Sequence, residues 1–373
     1  MKKYKFENIT LETKTNSKLT NKNNELIKMV VERAKRDFPE DIALIGLTGS
    51  FSTGNFHEKS DLDLIIINNT AKGQEITYEF IFDDVGYDFY CNSWQRIEDA
   101  IENCGITSII DWQVFYYSKP EYLDRFNALK AKARENLKKP IGKDCLNRAY
   151  KHICLIKQHL SETFLSEDIG EVRYASGYLL DNAITTLVRL NNSYIKRGIR
   201  RDMAEILAFR YLPDDFGNLY MAVINAKTVD EIRISSSKLT QSILQIYDTM
   251  MRDLVETPTP TYENLRGTYE ECWCNYRNKL INAAAIEDSL YAFNAAINAQ
   301  VYFDEMTETR GTKKFNLLKY FDPDNLDVFK DVFFEAMEEY RAEYDKVGRK
   351  VQKFDTFEEL YNHYMRGNTK NDR

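Results

Sequence analysis

The sequence predicts an α+β fold, with a compact sheet-bearing domain followed by a mostly α-helical C-terminal region. Two observations carry this expectation. Strand signals dominate from Ile42 to about Tyr117, and beyond Leu123 apolar residues recur almost everywhere at helical intervals. A third observation sets an internal boundary. Glu256-Thr257-Pro258-Thr259-Pro260-Thr261 carries two prolines, which break helices and stiffen the chain. The expected organisation is a domain over residues 1–125, a helical domain over 126–256 and a C-terminal helical subdomain over 257–373.

Each element has its own signal. Residues from about Asn24 to Phe38 carry a helical pattern ahead of the first strand. Ile42-Ala43-Leu44-Ile45-Gly46-Leu47 reads as a short buried strand, and Leu64 to Ile67 as a second. Between Gln74 and Tyr90 the residues Ile76, Tyr78, Phe80 and Phe82 alternate, a turn is expected at Asp83-Asp84-Val85-Gly86, and the chain resumes with Tyr87-Asp88-Phe89-Tyr90. That is the pattern of a hairpin. Helices are expected over Asp144 to Phe164, Val172 to Tyr194, Met203 to Tyr211, Leu219 to Ile224, Tyr262 to about Met306 and Leu326 to about Tyr344. The tail from Gly367 to Arg373 is expected to be loose.

The chemistry concentrates between the first two strands. Gly49 lets the chain turn so that backbone N–H groups can approach an anion, and Ser50 adds a hydroxyl donor there. After a polar loop, Asp61 and Asp63 open the second apolar run. Alternate side chains of an extended chain project from one face, so the two carboxylates point together while Leu62 and Leu64 point into the layer behind. Such a pair is a seat for Mg2+, which prefers oxygen ligands and is usually held by one or two carboxylates plus substrate phosphates. Asp88, expected in mid-strand between aromatics, is the choice for a third ligand, since a charge there is costly unless paired or metal-bound.

Gly49-Ser50, ten intervening residues and Asp61-Leu62-Asp63-Leu64 resemble the signature of the DNA polymerase β-like nucleotidyltransferase superfamily, with Ser60 at the place that often precedes the first Asp. The resemblance implies a catalytic domain with a short mixed sheet. It implies that Asp61, Asp63 and Asp88 hold Mg2+ and that Gly49, Ser50 and Ser60 bind the nucleotide. The reaction implied is in-line attack of a hydroxyl on the α-phosphorus of an NTP, ATP being the expected donor, with release of pyrophosphate. An N-terminal catalytic domain followed by helices is similar to the aminoglycoside and lincosamide nucleotidyltransferases, so the expected acceptor is a hydroxyl of a small molecule of that antibiotic type. Kanamycin-modifying members take a general base from the helical region, and the candidates here are Asp181 and Glu171, with an ordinary helix-surface role equally open to Asp181. Two other readings stay open: an antitoxin-type enzyme that AMPylates a protein, and a non-catalytic nucleotide-binding protein.

Composition bounds these readings. With 373 residues, 43% hydrophobic and 29% charged, the chain is of ordinary globular composition and long enough for more than one core. A net charge of −7 argues against a nucleic-acid backbone as the main partner and fits a cationic small molecule. The basic clusters Lys130 to Lys139, Lys196 to Arg201 and Lys346 to Lys353 read as solvated helix faces. No run approaches a membrane span and the N-terminus lacks the apolar core of a signal peptide, so a cytoplasmic location is expected. The six cysteines show no paired zinc spacing and are expected to be reduced.

Overall fold

The computed structural model describes residues 17–49, 60–103, 107–196, 203–254, 256 and 258–365. The chain divides into two compact units, Met1–Val255 and Glu256–Arg373.

The first unit begins with α1 (Ser17–Asp37), whose Leu26, Ile27, Val30, Val31 and Ala34 form one buried stripe. β1 (Ile42–Leu47) and β2 (Leu64–Asn68) follow, and every residue of both strands is buried. They pair antiparallel, with Leu47 opposite Leu64. A hairpin of β3 (Tyr78–Phe82) and β4 (Val85–Phe89) leads into β5 (Cys91–Ser93), which lies parallel to β2. α2 (Trp94–Glu102) and β6 (Gln113–Tyr117) complete a mixed four-stranded sheet in the order β5-β2-β1-β6.

Both faces of the sheet are covered, which is why β1 and β2 read as continuous apolar runs. Ile45, Leu47, Leu64 and Ile66 pack with α1 and the aromatic hairpin residues Tyr87 and Phe89. Leu44, Ile65 and Ile67 pack with Trp94 and Ile97 of α2 and with Phe126, Leu129 and Ala133 of α3 (Pro120–Lys138). The boundary expected at 125/126 therefore falls inside a helix that is part of the sheet's own core. A bundle follows, made of α4 (Lys143–Leu165), α5 (Ile169–Leu190), the short α6 (Met203–Leu207), α7 (Phe216–Asn225) and α8 (Val229–Leu254) around Ile153, Leu187 and Ile243.

The second unit has its own core, built on Phe303, Phe333, Tyr340 and Tyr344. The single stretch expected from Tyr262 to Met306 is interrupted. It consists of α9 (Thr268–Cys272), a π-helical turn (Trp273–Arg277), α10 (Asn278–Ala285) and α11 (Ser289–Arg310). The break before α11 falls at Glu287, which takes a left-handed φ of 54°. α12 (Leu326–Lys346) and α13 (Phe357–Met365) follow.

Three further expectations need correction. Strand texture does not run unbroken to Tyr117, because α2 intervenes: Ser93 caps it by accepting from the Arg96 N–H at 3.2 Å, and Trp94, Ile97 and Ile101 form its buried stripe. The hairpin turn is only Asp83-Asp84, both with left-handed φ (53° and 55°), so Val85 and Gly86 belong to the strand. Ile76 lies in a 3-10 turn (Ala71–Ile76) ahead of β3. Among the described residues, no helix is long and apolar enough to cross a membrane.

Candidate active site

The polar end of the sheet is organised by β1 and β2. Beyond the last ladder pair, the Thr48 N–H donates to the Asp63 carbonyl at 3.0 Å, so the two chains stay in register past the sheet edge. Gly49 turns next with φ of 71°, a conformation that L side chains rarely adopt. A Cβ at this position would overlap the Asp63 carboxylate. The Gly49 backbone and the Asp63 side chain thus lie in direct contact, and only glycine allows it. Ser50, the predicted hydroxyl donor beside it, lies outside the described residues.

The strand lead shows the burial that period-two alternation produces. Asp61 is exposed, Leu62 buried, Asp63 half-buried and Leu64 buried, while Ser60 is buried just ahead of them. Asp61 and Asp63 therefore share the face away from the Leu62 and Leu64 core, at the mouth of a rigid strand. Two hard carboxylates in this setting suit Mg2+.

Asp88 sits differently from the expectation. In β4, Tyr87 and Phe89 are buried and Asp88 is exposed, opposite Glu79 of β3. Its charge has no burial cost to offset, so the argument that it must be metal-bound or paired loses its force. Extending the β2–β5 register, in which Ile66 faces Cys91, sets Asp88 level with Asp63 on the neighbouring strand line. Among the described residues, no group of three or more His, Cys, Asp or Glu side chains is gathered as a metal cluster.

On the other side of Gly49 the structure adds residues that sequence reasoning passed over. β6 pairs antiparallel with β1, Gln113 opposite Leu47, and Asp111 ends a 3-10 turn (Thr107–Asp111) two residues ahead of Gln113. The Tyr194 hydroxyl, beyond the end of α5, donates to the Asp111 carboxylate at 2.7 Å, and Lys196 lies 3.8 Å from it. Burial, and then this hydrogen bond, push the Tyr194 phenol above its usual pKa. α3 runs back along β6, so Lys130 reaches the same end and donates to the Trp112 carbonyl at 2.8 Å. Burial lowers the Lys130 pKa, the neighbouring Arg134 lowers it further, and Asp111 opposes both. A charge cluster thus stands just ahead of β6, on the side of β1 away from β2.

Residues 27–102, from α1 to the end of α2, match the family model described as nucleotidyltransferase domain. That match takes in the sheet end of the chain and stops before the helical bundle. No curated protein matches the chain in sequence. Among solved structures it is similar to a nucleotidyltransferase-like protein from Exiguobacterium sibiricum, at 12% identity over 64% of this chain and 82% of that chain, with a TM-score of 0.33.

The two candidate general bases lie outside the nucleotidyltransferase domain, on α5. Glu171 sits in the first turn of α5: Asp168 caps the helix by accepting from the Glu171 N–H at 2.9 Å, and the Glu171 carboxylate accepts from the Ser166 hydroxyl. It also lines a surface cleft of about 570 Å³ with Glu162, Leu165 and Tyr174. The opposite end of α5 is the one that meets the nucleotidyltransferase domain, where Asn192 donates to the Asn136 carbonyl of α3 at 2.8 Å. A helix rises about 1.5 Å per residue, so Glu171 lies roughly 30 Å along α5 from that junction. Asp181 is half-buried in mid-helix, close enough to Tyr220 of α7 to help raise its phenol pKa, after burial.

Proposed function

We propose that this chain transfers a nucleoside monophosphate, AMP from ATP, to a hydroxyl of a small molecule of the aminoglycoside or lincosamide type, with Mg2+ held by Asp61 and Asp63. The observation that carries the reading is the contact of the Gly49 turn with the Asp63 carboxylate. Such contact puts an anion-accepting backbone and a cation-binding side chain against one another, and a nucleoside triphosphate complexed with a divalent metal needs both at once.

The chain's own residues then have defined tasks. The turn at Gly49 offers backbone N–H groups to phosphate oxygens and so orients the donor, and Asp61 and Asp63 would hold the metal. Bound Mg2+ would screen the charge of the triphosphate and of the departing pyrophosphate. The acceptor oxygen forms a bond to the α-phosphorus as the bond to pyrophosphate breaks, and the acceptor proton leaves to a base. Asp181 is the better placed of the two candidates for that base, because Glu171 is held by the Ser166 hydroxyl at the far end of α5. A net charge of −7 supports a cationic acceptor.

ATP labelled at the α-phosphate, incubated with a panel of aminoglycosides and lincosamides, tests the reading. Label should pass to one compound with equal release of pyrophosphate, and EDTA should stop it. Intact ATP after long incubation with the whole panel and a cell lysate would overturn the transfer reaction, and label on lysate protein would move the acceptor from a small molecule to a protein.

A further inference from the structure

We propose that Lys130 and Arg134 of α3 form the phosphate-binding wall of this site and hold the β- and γ-phosphates of the donor. The inference deepens the nucleotidyl-transfer reading and rests on it for the identity of the anion.

The first support is position. Lys130 is tied to the Trp112 carbonyl, one residue before the Gln113 that pairs with Leu47 at the end of β1. Adjacent strands lie about 5 Å apart, so this carbonyl is one strand spacing from the Thr48-Gly49 turn, on the side away from Asp63. Arg134 stands one helical turn further along α3, near enough to Lys130 and Tyr194 to act on their protonation. The proposed metal ligands and Lys130 therefore lie on opposite sides of the end of β1.

The second support is charge. Lys130 and Arg134 are a like-charged i,i+4 pair, an arrangement that destabilises a helix. Among the described residues neither has a carboxylate within ion-pair distance, although Lys119, Arg125, Lys132 and Lys196 all do. Asp111, the nearest acid to Lys130, is already engaged by Tyr194 and Lys196, and Glu205 accepts from the Lys196 N–H. Lys130 is partly desolvated, and its proton is destabilised by burial and by Arg134. Two unpaired cations held together at the mouth of an anion site are stabilised by an anion spanning them, and a terminal diphosphate has the charge and oxygen spacing to do so.

The test is equilibrium binding to the full chain, with the wild type compared with Lys130→Met, which keeps the apolar stem, Lys130→Arg, which keeps the charge, and the exposed Arg134→Gln. The probes are ATP with Mg2+, AMP, and inorganic tripolyphosphate. Lys130→Met and Arg134→Gln should each weaken ATP and tripolyphosphate at least tenfold and change AMP less than twofold, with Lys130→Arg restoring most of the loss. Unchanged ATP and tripolyphosphate affinity in both variants would overturn the proposal, as would equal weakening of ATP and AMP. Tripolyphosphate binding lost on substitution, together with no transfer from ATP to any acceptor in the wild type, would keep this wall and overturn the transfer reading instead.

Discussion

At the scale of single residues, Gly49 and Asp63 carry opposite kinds of constraint. Gly49 is fixed by shape, since a Cβ would both strain a left-handed φ of 71° and collide with the Asp63 carboxylate. Gly49→Ala should therefore lower stability by about 1–3 kcal/mol and abolish transfer, a pairing that thermal denaturation and an activity assay would reveal together. Asp63 is fixed by charge. Asp61→Asn and Asp63→Asn should each lose transfer by several orders of magnitude while leaving the melting temperature without metal equal or higher, because repulsion between the two carboxylates is relieved. Activity surviving in both would remove them from the metal site. The acids were legible from their spacing alone, but the partner of Gly49 was not, because the Gly49–Asp63 contact joins two chains that meet only through the β1–β2 ladder.

Helix ends separate two uses of left-handed backbone at the level of elements. α10 ends in a Schellman motif: Asp288 N–H donates to the Ala283 carbonyl at 2.9 Å, Glu287 N–H to Ala284 at 3.2 Å, and Glu287 has φ of 54°. Asp288 then caps α11 by accepting from the Tyr291 N–H. A residue with a Cβ is strained at such a position, so Glu287→Gly should stabilise the chain by about 1 kcal/mol in denaturant melts. The other end of α11 allows no choice. Gly311 has φ of 73° and a Cβ there would overlap the Pro258 carbonyl, so Gly311→Ala should destabilise by more than Glu287→Gly stabilises. Reversal of that order would show that the caps do not limit the second unit. Helical periodicity alone gave one stretch from Tyr262 to Met306, because a break with a single αL residue, Glu287, leaves the apolar spacing on either side intact.

Across the whole molecule, two separate cores predict two separate thiol responses. Cys154 and Cys274 are exposed, whereas Cys91, Cys145 and Cys272 are buried. Burial pushes the Cys91 thiol up to about 12, leaving almost no thiolate at pH 8. Alkylation of the native chain at pH 8 should modify Cys154 and Cys274 within minutes and spare the three buried thiols. In a denaturant series Cys91 and Cys145 should become reactive together and report the first unit, while Cys272 reports the second. Rapid labelling of Cys272 in the native chain would contradict the packing of α9.

The sequence by itself determined the buried strands β1 and β2, the acidic lead into β2 that the proposed chemistry uses, and a helical remainder. These are local properties, since the period of apolar residues and the spacing of two acids along one strand need no distant partner. Only the tertiary structure decided that Asp88 faces outward from its hairpin, that Glu171 lies far along α5 from the sheet, and that Lys130 is tied to the Trp112 carbonyl beside the end of β1. In the sequence Lys130 was part of an ordinary basic helix face. Its meaning depends on α3 running back along β6 to the end of the sheet where the lead into β2 carries Asp61 and Asp63, and a pattern read along one element carries no information about which end of another element it will meet.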